Sequence, residues 1–101
     1  MIDLTKITGF DWDRGNFDKS YQKHGVTPDE AEEVFTDKDV GIERDVKHQE
    51  TEERFIAIGQ TLQDKLLFVV FTLRNNMVRV ISARTANQKE RRLYEKAQKN
   101  S

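Results

Sequence analysis

The alternation of apolar and polar positions is clearest in the second half of the chain. Leu66 to Leu73 is apolar at both parities, which predicts a strand covered on both faces, at the centre of a sheet. Arg54 to Gln60 predicts a second strand, with Gly59 marking a bulge or a close approach. Val40, Ile42 and Val46 share one parity against Glu43 and Asp45, so 40–46 reads as a half-exposed strand whose apolar face Arg44 interrupts. Lys47 to Glu53 reads as a hydrophilic loop. Asn75-Asn76 suits a two-residue hairpin turn, because asparagine tolerates positive φ. The return strand Val78 to Arg84 then pairs Thr72 with Arg79, Phe71 with Val80, Val70 with Ile81 and Leu67 with Arg84.

Helical spacing appears at both ends. Phe17 and Tyr21 lie four apart within a stretch from about Arg14 to His24 that Gly25 terminates. Val26-Thr27-Pro28-Asp29-Glu30 is a helix start: Thr27 caps, Pro28 opens, Glu30 closes a capping box and Val26 staples onto Ala31. Ala31, Val34 and Phe35 form its buried stripe, and it should stop near Thr36-Asp37. Asn87 caps a last helix, with Glu90 three residues on and Leu93 and Ala97 turned to the sheet. Residues 1–9 read as a leader with one short strand around Ile7, and residues 10–101 as a single domain. The expected fold is α+β: two N-terminal helices, an antiparallel β-meander and a C-terminal helix, with the helices on one face of the sheet.

Charge changes this picture. Residues 1–53 hold seven Lys or Arg against fifteen Asp or Glu, whereas residues 54–101 hold ten against three. A net charge of −1 therefore hides a basic half suited to a phosphate backbone or an acidic protein. The absence of cysteine excludes disulfides, thiolate metal sites and a cysteine nucleophile. Two histidines twenty-four residues apart, His24 and His48, give little support to a metal site. No apolar run is long enough for a membrane span, and the N-terminus lacks the pattern of a secretion signal, so a cytoplasmic location is expected.

Several segments together resemble the BrnT family. They are Phe10-Asp11-Trp12-Asp13, Lys23-His24-Gly25-Val26, Glu30 to Phe35, Glu53-Arg54-Phe55 with Ile58-Gly59, Val80-Ile81-Ser82-Ala83-Arg84, and Lys89-Glu90-Arg91-Arg92-Leu93-Tyr94-Glu95. The resemblance spans roughly residues 10–95 and implies the toxin half of a bacterial type II toxin–antitoxin pair. It further implies a RelE-like fold, ribonuclease activity needing no metal or other cofactor, and neutralisation by a BrnA-like ribbon-helix-helix antitoxin. Operator DNA would be reached only through that antitoxin.

A metal-free ribonuclease must deprotonate the ribose 2′-OH, stabilise charge on the phosphate and protonate the leaving oxygen. Arg84, which ends a strand and matches the family block, is the first candidate for the phosphate; its ordinary alternative is an ion pair with an acid such as Glu90. Arg54 begins its strand and is catalytic or merely structural. His24 is a candidate acid or base, or simply a cation at a helix C-terminus. Tyr94 is a candidate for proton transfer or base stacking, or a packing residue. Glu90 can act as a base, although its capping role explains it. Lys23, Arg79, Lys89, Arg91 and Arg92 are candidate RNA contacts, or solvated charges. By simple strand parity Arg79 and Arg84 fall on opposite sheet faces. The competing reading is a non-catalytic protein-interaction or transcription-regulating module of the same fold. A third is a free-standing RNA-binding domain.

Overall fold

A computed structural model describes residues 7–11, 25–45 and 53–99. Strand β1 (Gly9–Phe10) is followed by helix α1 (Pro28–Val34) and strands β2 (Gly41–Arg44), β3 (Phe55–Gln60), β4 (Leu66–Arg74) and β5 (Met77–Thr85). Helix α2 (Gln88–Lys99) closes the described chain. The strands form one sheet in the order β1-β5-β4-β3-β2, so the strand that is apolar at both parities does lie at the centre. The fold is α+β, and β2 to β5 form the expected antiparallel meander. The sheet as a whole is mixed, because β1 runs parallel to β5 along its outer edge. Such a parallel neighbour needs a long connection, and here most of the chain supplies it. The strand expected near Ile7 lies at Gly9–Phe10, anchored by Thr8 N–H to the Asn76 carbonyl and Asp11 N–H to the Val78 carbonyl. One N-terminal helix is present among the described residues; the other, expected from Arg14 to His24, lies outside them.

The local signals for α1 act as read. Glu30 N–H donates to Thr27 Oγ1 at 3.2 Å and Thr27 N–H donates to Glu30 Oε1 at 3.0 Å, completing the capping box. Val26, Ala31 and Val34 are buried. They pack on the sheet face formed by Ala57, Leu67, Val69, Phe71, Val78, Val80 and Ala83. Phe71 sits between Phe35, edge-on at 5.0 Å, and Phe55, stacked at 5.6 Å. Full burial of such a side chain contributes roughly 1.5–3 kcal/mol. Gly59 marks a close approach: a methyl there would lie 3.0 Å from Val34 Cγ1 and 3.1 Å from the Val34 carbonyl oxygen. Its missing side chain lets α1 lie flat on β3.

The β4–β5 hairpin turns through Asn75 and Asn76, with φ of 53° and 65°, the mirror-image conformation that a two-residue loop favours. Thr72 pairs with Arg79 and Phe71 with Val80, as the turn dictates. The register then slips. Val70 pairs with Ser82 rather than Ile81, Phe68 with Arg84 and Leu67 with Thr85. Ile81 is the extra residue of a β-bulge.

The helices do not share one face. Helix α1 covers the side of Ala57 and Gly59, whereas Tyr94, Leu93 and Ala97 of α2 meet Gly41, Ile56 and Ile58 on the other side. Alternation along β3 places those two sets on opposite faces. Leu93 and Ala97 are also more open than expected, Leu93 being 53% exposed, and the buried residue of α2 is Tyr94. The helix is held largely by polar contacts, so its burial pattern was weakly encoded in its apolar residues.

Candidate active site

The bulge decides which side chains can act together. Cross-strand partners share a face, so Arg79 lies with Thr72 and Arg84 with Phe68. Thr72 and Phe68 are four apart on β4 and therefore point the same way. Arg79 and Arg84 thus occupy one face of the sheet, the face of α2. The expectation that they lie on opposite faces is corrected, because it counted parity through Ile81 without the extra residue. Arg54 joins them: it precedes β3, its carbonyl accepts from Asp45 N–H at 2.7 Å, and it has the parity of Ile56 and Ile58. The face carries two regular rows, Arg84–Phe68–Ile58–Gly41 and Ser82–Val70–Ile56–Glu43. Thr72 pairs with Arg79, and extending the β3–β4 register one residue past Phe55–Phe71 sets Arg54 opposite Thr72. Arginines therefore stand around a floor of partly buried apolar side chains. Strand geometry sets Arg84 and Arg79 about 13 Å apart along the sheet. They suit successive contacts along an extended anion, not a grip on one phosphate.

Arg84 is held in detail. Its Nη1 donates to Glu90 Oε1 at 2.8 Å and its Nη2 to Glu90 Oε2 at 2.7 Å, a bidentate pair, and Nη1 also reaches the Thr85 carbonyl at 3.3 Å. The guanidinium lies over the Phe68 ring, 4.2 Å from its centroid. Glu90 meanwhile accepts from Asn87 N–H at 2.8 Å, and its own N–H donates to Asn87 Oδ1 at 2.9 Å. The capping box of α2 thus also holds the partner of Arg84. The Glu90 hydrogen bonds raise the Arg84 pKa against the opposing effect of burial. Burial works against ionisation of Glu90, but Arg84 and the Asn87 N–H outweigh it and keep the carboxyl below its usual range.

Tyr94 faces the body of the protein from α2. It is 5% exposed, and its hydroxyl donates to Asp37 Oδ2 at 2.5 Å. Burial first, then that bond to a carboxylate, pushes the phenol well above its ordinary pKa. Asp37 Oδ2 also accepts from Gln60 N–H at 2.8 Å and its Oδ1 from Asp39 N–H at 2.9 Å. These bonds hold Asp37 ionised despite burial, with its pKa lowered. One turn further on, Gln98 Nε2 donates to Asp39 Oδ2 at 3.2 Å. Glu90, Tyr94 and Gln98, spaced at i, i+4 and i+8, therefore tie α2 to the body as a polar stripe.

Lys89, Arg91 and Arg92 are exposed on α2, beside the arginine face. Lys23 and His24 lie outside the described residues; Gly25 after them has φ of 68°, a conformation glycine adopts without strain. Among the described residues no group of three or more His, Cys, Asp or Glu side chains is arranged to hold a metal ion. No described helix is long and apolar enough to cross a membrane. Sequence reading missed Asp37 and Phe68. Asp37 follows a helix end, where such residues are common, and Phe68 looked like one core residue among many. Glu90 was legible as the partner of Arg84.

The chain's similarity to known proteins bears on this geometry. It resembles the crystal structure of the Brucella abortus ribonuclease toxin, BrnT, with a TM-score of 0.60 at 23% sequence identity, over 79% of this chain and 97% of that one. No curated protein matches it. The model of the family described as "Ribonuclease toxin, BrnT, of type II toxin-antitoxin system" matches residues 12–90. With the arrangement of strands and helices in accord, the chain belongs to the BrnT family of ribonuclease toxins.

Proposed function

We propose that this chain is a cytoplasmic toxin that cleaves RNA without a metal ion, on the sheet face beneath α2. The observation that carries this reading is the bulge at Ile81, which brings Arg84 onto the face of Arg79, the face to which the parity of β3 also assigns Arg54. Arg84 stabilises charge on the phosphate in the transition state, since arginine stays protonated and forms planar forks with oxyanions. Arg54 and Arg79 contact neighbouring phosphates, and Lys89, Arg91 and Arg92 extend the basic track along α2. His24, with Lys23 beside it, supplies the candidate acid or base. Tyr94 serves to anchor α2 and not to transfer protons, because its hydroxyl is committed to Asp37. A BrnA-like ribbon-helix-helix antitoxin neutralises the toxin and carries the complex to operator DNA.

The test is cleavage of single-stranded RNA in EDTA, with and without ribosomes, followed by identification of the products. Termini with 2′,3′-cyclic phosphate are expected, and Arg84→Ala should abolish both cleavage and growth inhibition while the protein remains folded. Activity lost in EDTA and restored by a divalent ion would exclude the metal-free route. A second reading, a non-catalytic module binding a protein partner, draws on the two candidate side chains already bonded to carboxylates, Arg84 and Tyr94. Absence of cleavage under all these conditions would favour it.

A further inference from the structure

Arginine offers five N–H donors on two usable edges, the Nη1/Nη2 end and the Nε/Nη2 side. In Arg84 the end edge is filled by Glu90 and one more Nη1 hydrogen points at the Thr85 carbonyl. The guanidinium carbon lies over the Phe68 ring, 4.2 Å from its centroid. The Nε–H and the second Nη2–H meet no acceptor among the described residues, and they form the side edge. The Arg84 side chain is 36% exposed and that of Glu90 only 12%, so the carboxylate is the sheltered member of the pair. Glu90 is itself fixed, because the same carboxylate closes the capping box with Asn87. A guanidinium clamped at one edge and backed by a ring has little freedom to rotate. Its remaining fork is aimed, and its orientation is set before any ligand arrives.

We propose that the Nε/Nη2 edge of Arg84, stacked on Phe68, is the seat for a phosphodiester of single-stranded RNA, and that Glu90 is the residue that positions it. This rests on the ribonuclease reading and deepens it. Glu90 is then a positioning residue, not the base and not a competitor for Arg84. Phe68 is a backing plate that keeps water from one face of the guanidinium. The arrangement resolves an apparent conflict, since an arginine already paired with a carboxylate would otherwise look spent. The pair costs some attraction for phosphate, because its net charge is near zero, and in return it supplies direction.

The deciding variant is Glu90→Gln. Glutamine keeps an oxygen for Asn87 N–H and for one Arg84 nitrogen, so the helix cap survives while the second bond and the charge are lost. Thermal unfolding and circular dichroism verify that the variant folds. The first readout is the Arg84 Nε–H signal in 15N-edited NMR, identified by its absence in Arg84→Lys. The titrant is a 2′-deoxy single-stranded oligonucleotide, which cannot be cut by 2′-OH attack. In the parent chain this signal should be sharp and should shift on titration; in Glu90→Gln it should broaden, while affinity stays the same or rises. The second readout is single-turnover cleavage at saturating RNA, which should fall by roughly tenfold or more in Glu90→Gln. A purely structural role for Glu90 would lower stability without separating binding from cleavage. An Arg84 signal that ignores the oligonucleotide, or is as sharp in Glu90→Gln as in the parent, overturns the proposal. Cleavage as fast as or faster than the parent's in Glu90→Gln also overturns it, and makes Glu90 a competitor. If the parent cuts no RNA at all, the ribonuclease reading fails by itself, while the NMR arms still decide the seat and its positioning.

Discussion

One arginine and one tyrosine with similar prospects in the sequence, Arg84 and Tyr94, have different surroundings in the fold. The Arg84 side chain is partly exposed, whereas Tyr94 is closed in and bonded to Asp37. The difference is testable in one substitution. Tyr94→Phe keeps the ring and removes the hydroxyl, leaving Asp37 with its two backbone donors, Gln60 and Asp39. Loss of a hydrogen bond to a charged group costs about 1–3 kcal/mol. Chemical denaturation should show that loss, while cleavage per folded molecule should stay at the parent level. A fall in cleavage at unchanged stability would return Tyr94 to the chemistry. Such surroundings are not legible in a residue's own identity. The phenol's partner is 57 positions away, and nothing local announces it.

Local signals carried the elements well where the chemistry is short-range. The capping boxes Thr27–Glu30 and Asn87–Glu90 formed as read, and so did the Asn75-Asn76 turn and the close approach at Gly59. Each is settled within a few residues or by a missing side chain. The side of the sheet that α2 covers was not legible, because its docking stripe is polar and its partners are distant. The bulge was equally hidden, since nothing in Val80-Ile81-Ser82 marks an extra residue. Element stability also depends on pH. Glu30 is held below its ordinary pKa by Lys65 at 2.6 Å and by its cap, Asp37 and Glu90 by the bonds described above. A carboxyl whose folded pKa is lowered contributes stability that is complete above its unfolded value, about 4, and is lost as pH falls through the folded value. Unfolding measured from pH 7 downward should therefore show constant contributions from these groups to about pH 4 and a loss below it. Glu90→Gln and Tyr94→Phe should each flatten part of that acid limb.

At the scale of the whole molecule the division of charge matters more than the total. The described basic residues of α2 and the arginine face belong to the half of the chain that carries ten cations against three anions. A surface that attracts phosphate also attracts carboxylates, so an acidic or amphipathic antitoxin segment should dock there and cover the proposed RNA track. Association measured by stopped flow should slow as salt rises, and the double change Arg91→Glu with Arg92→Glu should slow it further, with a smaller effect on dissociation. An association rate indifferent to both would place the antitoxin elsewhere, most plainly against the acidic N-terminal half.

The bulge on β5 also has a meaning for how this chain can change over generations. Removing Ile81 would join Val80 directly to Ser82, and the pairs Phe71–Val80, Val70–Ser82 and Phe68–Arg84 would all survive in an unbroken ladder. The strand therefore has one residue to spare. β4 has none, since its pairing with β3 runs without a break from Phe55–Phe71 to Gln60–Leu66. A one-codon deletion at Ile81 should yield a folded protein with Arg84 on its proper face, whereas the same deletion at Val70 should not fold. Proteolysis resistance and RNA binding of the two deletion variants would show it. Length variation among descendants of this chain should then collect in β5, at the one place in the sheet where losing a residue leaves every arginine where it stood.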